Sequence, residues 1–397
     1  MINPQKDPSV VPRLSRAIAD YLTWMKSVHY SPGSCHQHRM QLESFLSFVK
    51  NSELVWQQLF TGATREQFKK LSHLATMAAL NGLSRYLAQQ GQIKTPLPRR
   101  PQPRQLAGIY EDYLNCRQDD GQSTPRQLNT IGRVLSALGD YLQPQDITLN
   151  RLRIEQLDAF MAEFCRSLAA SSCRHYRSLL RGFLSYLHQR GLIKKNLAPL
   201  LIGAPQFANA KPPKFLRPSE VQKLLESLPV TTAKELRTYA MVHLAYSLGL
   251  RPAEISSLQL DDICFGRATL SLQRRKNDIP LELPIAEPTL KAVVAYLVGG
   301  RPKSSDRHLF LSLMAPYGPI VPGLVSRDIQ QAIQKQKAGL NATAYWLRHT
   351  YAQHLLTAGA SIYEIKEMLG HRHIESSRKY LYIHTELMRE VILDEPL

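Results

Sequence analysis

Acidic residues are the scarce class in this chain. Only 32 Asp and Glu stand against 50 Lys and Arg, leaving a formal net charge of +18. A surplus of that size points to a polyanion as partner. Cysteine is scarce too. Cys35, Cys116, Cys165, Cys173 and Cys264 are odd in number and form no C-x-x-C pair, which argues against a disulfide framework and against a zinc site. No stretch of about 18 consecutive apolar residues occurs, so no membrane-spanning helix is expected. The opening MINPQKDPSV lacks the basic-then-apolar layout of a secretory signal. These absences leave a cytoplasmic protein that faces nucleic acid as the working class.

The positive charge is unevenly spread. Residues 1–205 hold 26 Lys and Arg against 14 Asp and Glu, and residues 206–397 hold 24 against 18. The first half is therefore the better candidate for broad phosphate contact. A length of 397 residues suits two or three domains rather than one.

An internal repeat organises the first half. Asn81-Gly-Leu-Ser-Arg-Tyr-Leu-Ala-Gln-Gln-Gly-Gln-Ile-Lys94 aligns without a gap on Arg181-Gly-Phe-Leu-Ser-Tyr-Leu-His-Gln-Arg-Gly-Leu-Ile-Lys194. Upstream, Asp20-Tyr21-Leu22 answers Asp112-Tyr113-Leu114, and Pro32, Leu42, Phe45 and Phe48 answer Pro125, Leu135, Leu138 and Tyr141. Each copy reads as a small helical bundle. Leu42, Phe45, Leu46 and Val49 recur at helical spacing, as do Tyr176, Leu179, Leu180, Phe183 and Tyr186. Gly91 and Gly191 stand where a helix C-cap is expected. The Pro- and Arg-rich stretch 94–104 and the five prolines between Ala198 and Pro218 read as linkers.

From Ser219 the texture changes. Helical patterns at 219–228, 234–249 and 286–298 flank two alternating stretches, 268–273 and 279–285, on either side of a polar turn holding Arg274, Arg275, Lys276, Asn277 and Asp278. That arrangement predicts a β-hairpin. Further on, Ser361-Ile-Tyr-Glu364 is a capping box, and Gly370 marks a helix stop.

Five short stretches of this last region, in order, resemble the tyrosine recombinase (phage integrase) family. Gly249-Leu-Arg-Pro-Ala-Glu-Ile-Ser-Ser-Leu258 resembles that family's first arginine box, with Arg251 the matching arginine and Glu254 its companion. Lys276, eight residues before Pro284, has the spacing of the family's hairpin lysine. Tyr345-Trp-Leu-Arg-His-Thr-Tyr-Ala352 resembles the His-x-x-Arg box and places its arginine at Arg348. Leu369-Gly-His371 resembles the box of the second histidine, and Tyr380 follows nine residues later, where the family keeps its nucleophile. Tyr382 and Tyr351 are rivals to Tyr380 on residue type, and the spacing favours Tyr380. The pair His371 and His373 has a metal-like look but no further ligand nearby, so no metal is expected.

The resemblance implies an all-α, SAM-like core-binding module at 99–205, and the internal repeat makes 1–98 a duplicate of it, a second tandem helical module that is not general in the family and that would bind DNA or a partner protein. A mixed, mainly α catalytic domain with a small β-sheet would follow at 206–397. It also implies a site-specific bacterial DNA recombinase that cleaves and rejoins double-stranded DNA through a 3′-phosphotyrosyl intermediate. Such an enzyme works as a homotetramer on two DNA sites, with a partner recombinase or accessory proteins as further candidates. Arg174, Arg177, Arg181, Arg274 and Arg275 are the expected DNA contacts beyond the catalytic set.

The chemistry fits those roles. A phenol can hold the broken strand covalently and so conserve its bond energy. Two guanidiniums, Arg251 and Arg348, can grip the non-bridging oxygens of a phosphate whose charge grows during attack. The 5′-oxygen needs a proton to leave, which the resemblance assigns to Lys276, while His371 hydrogen-bonds the phosphate. Positioning and charge suffice for such a transfer, so no cofactor, metal or nucleotide is expected. One position departs from the pattern. Tyr345 stands where the family has histidine, and a phenol is a poor base at neutral pH. A relaxing topoisomerase and a DNA-binding regulator without catalysis stay open as rival readings.

Overall fold

A computed structural model describes residues 9–72, 77–97, 106, 108–121, 123–203, 214–272, 281–336, 342–371, 373, 374, 377 and 380. The chain divides into two compact units. One comprises Met1–Ile18 and Met40–Gln206, the other Ala19–Arg39 and Phe207–Leu397. The first half is helical: α1 (Val10–Ser27), α2 (Pro32–Lys50), α3 (Trp56–Leu59), α4 (Gly62–Ser72), α5 (Ala78–Gln89), α6 (Ile109–Asp119), α7 (Pro125–Leu142), α8 (Ile154–Phe164) and α9 (Ala170–Gln189). The second adds α10 (Pro218–Ser227), α11 (Ala233–Ser247), α12 (Pro252–Ser257), strands β1 (Ile263–Cys264), β2 (Thr269–Leu272) and β3 (Leu281–Pro284), then α13 (Glu287–Gly299), α14 (Pro322–Gln336), α15 (Ala344–Thr357) and α16 (Ile362–Leu369). No described helix is long and apolar enough to cross a membrane.

The repeat seen in the sequence recurs as local geometry. Gly91 and Gly191 both take positive φ, 68° and 72°, just past the ends of α5 and α9. In each case the next amide reaches back to the buried leucine five residues earlier, Gln92 N to Leu87 O and Leu192 N to Leu187 O, both at 2.9 Å. A side chain with a Cβ is strained in that backbone, so the two matching glycines are stop signals of the same kind. Leu42, Phe45 and Val49 face inward from α2, and Leu180, Phe183, Tyr186 and Leu187 do so from α9. The latter join Tyr113, Leu135, Leu138 and Phe160 in one apolar core built from α6 to α9.

In the second unit the predicted hairpin strands pair antiparallel, with Leu270 opposite Leu283 and Ser271 opposite Glu282. Alternation does the work: Leu270, Leu272 and Leu283 point into the core and their neighbours do not. The turn itself, with Arg274, Arg275 and Lys276, lies outside the described residues. A further strand, β1, pairs with β2 and makes the sheet three-stranded. Two residues cannot show an alternation, so nothing in the sequence announced it. Helix α11 is buried along Ala240, Met241, Leu244 and Ala245, and packs in one core with Val293 and Tyr296 of α13, Val325 and Ile329 of α14 and Leu347 of α15. It is the pillar on which the helices carrying the site are mounted.

Candidate active site

The site begins where α11 stops. Gly249 has φ +60°, and a Cβ there would sit 2.4 Å from Cδ1 of Tyr351, so the turn needs glycine both for its backbone and for the ring pressed against it. The chain then enters α12 through Arg251 in extended conformation, with Pro252 in the first helical position. Glu254 folds back on this start. Its Oε2 accepts the Arg251 backbone N–H at 2.8 Å, and its Oε1 accepts Nη1 of the same residue at 2.7 Å. One carboxylate thus fixes both the backbone and the guanidinium of Arg251.

Arg348 arrives from the first half of α15 and is 3 % exposed. Its Nη1 donates to Gly249 O at 2.5 Å and lies 3.8 Å from Glu254 Oε2. Its Nη2 donates to Leu369 O, while Arg251 Nη2 donates to Gly370 O at 3.1 Å. The two guanidiniums therefore converge on the C-terminal end of α16. Carbonyls there have no partner within the helix and carry its negative dipole end, which suits cations. The helix ends where it does because Gly370 turns left-handed, φ 61° and ψ 51°. At its other end Ser361 and Glu364 cap each other's amides at 3.2 and 2.7 Å.

His371 follows directly. Arg348 Nη2 lies 3.4 Å from its Nε2, and its Nδ1 lies 2.7 Å from Ser377 Oγ. Since a guanidinium only donates, Nε2 is the accepting nitrogen and Nδ1 donates to the serine. Tyr380 closes the group. It is fully buried among Ala352, Leu356, Ile365 and Leu369, and its ring lies parallel to that of His371 with centroids 6.4 Å apart. Burial pushes its phenol up to about 12, although the positive charges of Arg348 and Arg251 pull the other way. The phenol oxygen is 2.9 Å from Nδ1 of His349.

Four residues expected from the sequence, Arg251, Arg348, His371 and Tyr380, thus stand together with Glu254. Tyr345 is on the first turn of α15 and 51 % exposed. Lys276, Arg274 and Arg275 lie outside the described residues. Tyr351, the rival tyrosine, packs against Gly249. In the other unit Arg174, Arg177 and Arg181 follow one face of α9. Arg181 donates from Nε and Nη2 to Leu201 O at 2.9 and 2.6 Å. Arg177 crowds Gly203, where a Cβ would fall 1.8 Å from its Nη1.

The sequence reading leaves His349, a histidine the family commonly has after the arginine of this box, outside the expected site, and it passes over Ser377. For His349 a signal exists: residues 349, 352 and 356 form a helical stripe whose other members are Ala352 and Leu356, both buried. A titratable side chain on such a stripe invites the question of what it faces. Ser377 carries no comparable signal.

Residues 214–386 match the model of the phage integrase family. A putative integrase/recombinase of Sinorhizobium fredii is 34% identical over 167 residues, covering 42% of this chain and 86% of that protein. The chain belongs to the phage integrase family. As a member of that family it is a tyrosine-type recombinase, of the class that cleaves and rejoins DNA. The tyrosine recombinase XerC of Bacillus licheniformis is 27% identical over 253 residues, 63% of this chain and 81% of that one. Among solved structures, the XerH site-specific recombinase bound to a palindromic difH substrate, in a post-cleavage complex, covers 98% of both chains with a TM-score of 0.57 at 17% identity. That likeness extends the integrase fold beyond the catalytic region to the helical first half.

Proposed function

We propose that this integrase cuts one strand at a time with Tyr380 as nucleophile, leaving a 3′-phosphotyrosyl bond and a free 5′-hydroxyl. Arg251 and Arg348 hold the non-bridging oxygens of the scissile phosphate, and His371 supports them through its contact with Arg348. Lys276 donates the proton to the departing 5′-oxygen, a role that rests on its spacing before Pro284. Tyr345 hydrogen-bonds the phosphate or its surroundings from the head of α15. Each task is met by placed charge and hydrogen bonds.

The observation that carries this reading is the convergence of two guanidiniums, clamped by Glu254 and by the carbonyls of Gly249, Leu369 and Gly370, beside His371 and the phenol of Tyr380. A surface arginine has no need of such anchoring. A pair held with its charge only partly neutralised suits a phosphate dianion in the making.

The wider reading is a chain of three parts, with helical modules at 1–98 and 99–205 adding phosphate contacts, among them Arg174, Arg177 and Arg181. Arg274 and Arg275 add contacts from the hairpin turn. Four protomers act on two DNA duplexes in the cytoplasm. Relatives captured on DNA, such as a lambda integrase dimer on its COC′ core site, support the partner class. The apolar residues Tyr382, Ile383, Leu387, Val391, Ile392 and Leu393 of the tail, all outside the described residues, are read as docking on a neighbouring protomer.

A pool of nicked duplexes with randomised cores tests the nucleophile. Wild-type protein should become covalently attached to a subset of the pool through Tyr380, seen as a denaturant-resistant adduct whose peptide map ends on that residue. Tyr380→Phe should give none. An adduct on Tyr382, or one that survives in Tyr380→Phe, would defeat the assignment.

A further inference from the structure

We infer that His349 is the proton acceptor for Tyr380, taking the phenolic hydrogen as the oxygen attacks phosphorus. The inference rests on the reading of Tyr380 as nucleophile. It supplies the part of the chemistry that Tyr345, a phenol exposed to water at the head of α15, is poorly suited to perform.

Geometry comes first. Nδ1 of His349 lies 2.9 Å from the phenol oxygen, within the range for direct proton transfer, with the rings inclined at 60°. Among the described residues, the carboxylate and the second imidazole of the site are otherwise engaged. Glu254 holds both guanidiniums, and His371 meets Arg348 with one nitrogen and Ser377 with the other. His349 also follows Arg348 directly on α15, so one rigid helix carries a phosphate-gripping guanidinium and the base for the nucleophile.

Electrostatics favour such a base. Burial raises the phenol to about 12 and so disfavours its ionised form at neutral pH. Attack by a spontaneously formed phenolate is thus rare, whereas removal of the proton during attack avoids the isolated buried anion. The step balances as follows. The bond from the Tyr380 oxygen to phosphorus forms and the bond from phosphorus to the 5′-oxygen breaks. The phenolic proton passes to His349 Nδ1, and the 5′-oxygen leaves with a proton from the donor assigned above to Lys276. In rejoining the directions reverse, and His349 returns its proton to the phenol.

The test uses the full-length protein and the nicked duplex that the wild type captures from the randomised pool. His349→Asn keeps an acceptor oxygen near the place of Nδ1 but cannot take a proton, and His349→Gln serves as a second variant should the first fold poorly. Adduct formation in a single turnover should fall about 100-fold or more, with the affinity for the duplex unchanged. A 5′-bridging phosphorothiolate, whose sulfur leaves without a proton, should not restore the rate. Fluorinated tyrosine at position 380, a more acidic phenol, should recover at least about tenfold in the variant.

An unchanged rate in both variants overturns the inference, with Tyr380 still the mapped attachment site. Rescue by the phosphorothiolate also overturns it, placing His349 on the leaving-group side. So does a loss that fluorinated tyrosine cannot repair, which would make the effect structural. If the wild-type adduct maps to another residue, the assignment of Tyr380 falls, and this inference with it.

Discussion

Glu254 is the residue on which the arrangement of charges turns. It is 7 % exposed and stands against one partly exposed and one buried arginine. Removing its charge leaves two guanidiniums close together, held by the carbonyls of Gly249, Leu369 and Gly370 and by His371 but without their shared carboxylate. Glu254→Gln is therefore expected to cost about 1–3 kcal/mol in urea unfolding. Because Arg251 loses its anchor, cleavage of a nicked duplex should slow by about 100-fold. A variant that unfolds earlier yet cleaves at the wild-type rate would show that the carboxylate serves the fold alone. Tyr380 gives a second expectation at this scale. Its phenol stays protonated up to about pH 12 in the folded chain but ionises near pH 10 when unfolded. The folded state therefore holds the proton longer, and the stability this confers is complete below pH 10 and lost as pH rises from 10 to 12. Over that window the wild type should lose up to about 3 kcal/mol more than Tyr380→Phe, read by urea unfolding at successive pH values.

At the scale of elements, what the sequence reveals depends on whether a local rule or a distant contact places the residue. The capping box at Ser361 and the stop at Gly370 obey local rules, and α16 runs between them. The strands on either side of the hairpin turn show their alternation directly. That Arg251, Arg348, His371 and Tyr380 would stand together was expected from the order and spacing of the boxes that resemble the family, and the fold brings the four side chains to one place. The contact of His349 with Tyr380 was not expected, since it spans 31 residues and depends on how the chain returns after α16. The exposure of Tyr345 was equally hidden, being a matter of what packs over the head of α15. Gly249 joins both kinds of information. Its left-handed backbone is local, and the Tyr351 ring 2.4 Å from a hypothetical Cβ is not. Gly249→Ala should destabilise by about 2–4 kcal/mol, combining the backbone penalty with overpacking. It should also lower cleavage, because the displaced carbonyl is the one that receives Arg348. Trimming the ring as well, in Gly249→Ala with Tyr351→Ala, should recover the overpacking share but not the backbone share.

For the molecule as a whole the decisive quantity is the net charge of +18, with the greater surplus in residues 1–205. Binding driven by phosphate contacts weakens steeply with salt, by about 0.9 in the logarithmic slope for each phosphate neutralised on duplex DNA. Two of the three arginines of α9 can be separated by this measure. Arg174 is exposed, and as a phosphate contact its change to Gln should lower the slope by about 1. Arg181 uses Nε and Nη2 to hold the carbonyl of Leu201, a buried residue of the core formed by α6 to α9. Arg181→Lys keeps the charge and loses the two-pronged geometry, so it should cost about 1 kcal/mol in urea unfolding and leave the slope where it was. Fluorescence anisotropy with the captured duplex, from 50 to 200 mM salt, reads both slopes. If Arg174→Gln leaves the slope unchanged, the charge of the helical half serves solubility rather than phosphate contact at that face. The search for the DNA-binding surface would then move to the arginines of the 94–104 stretch.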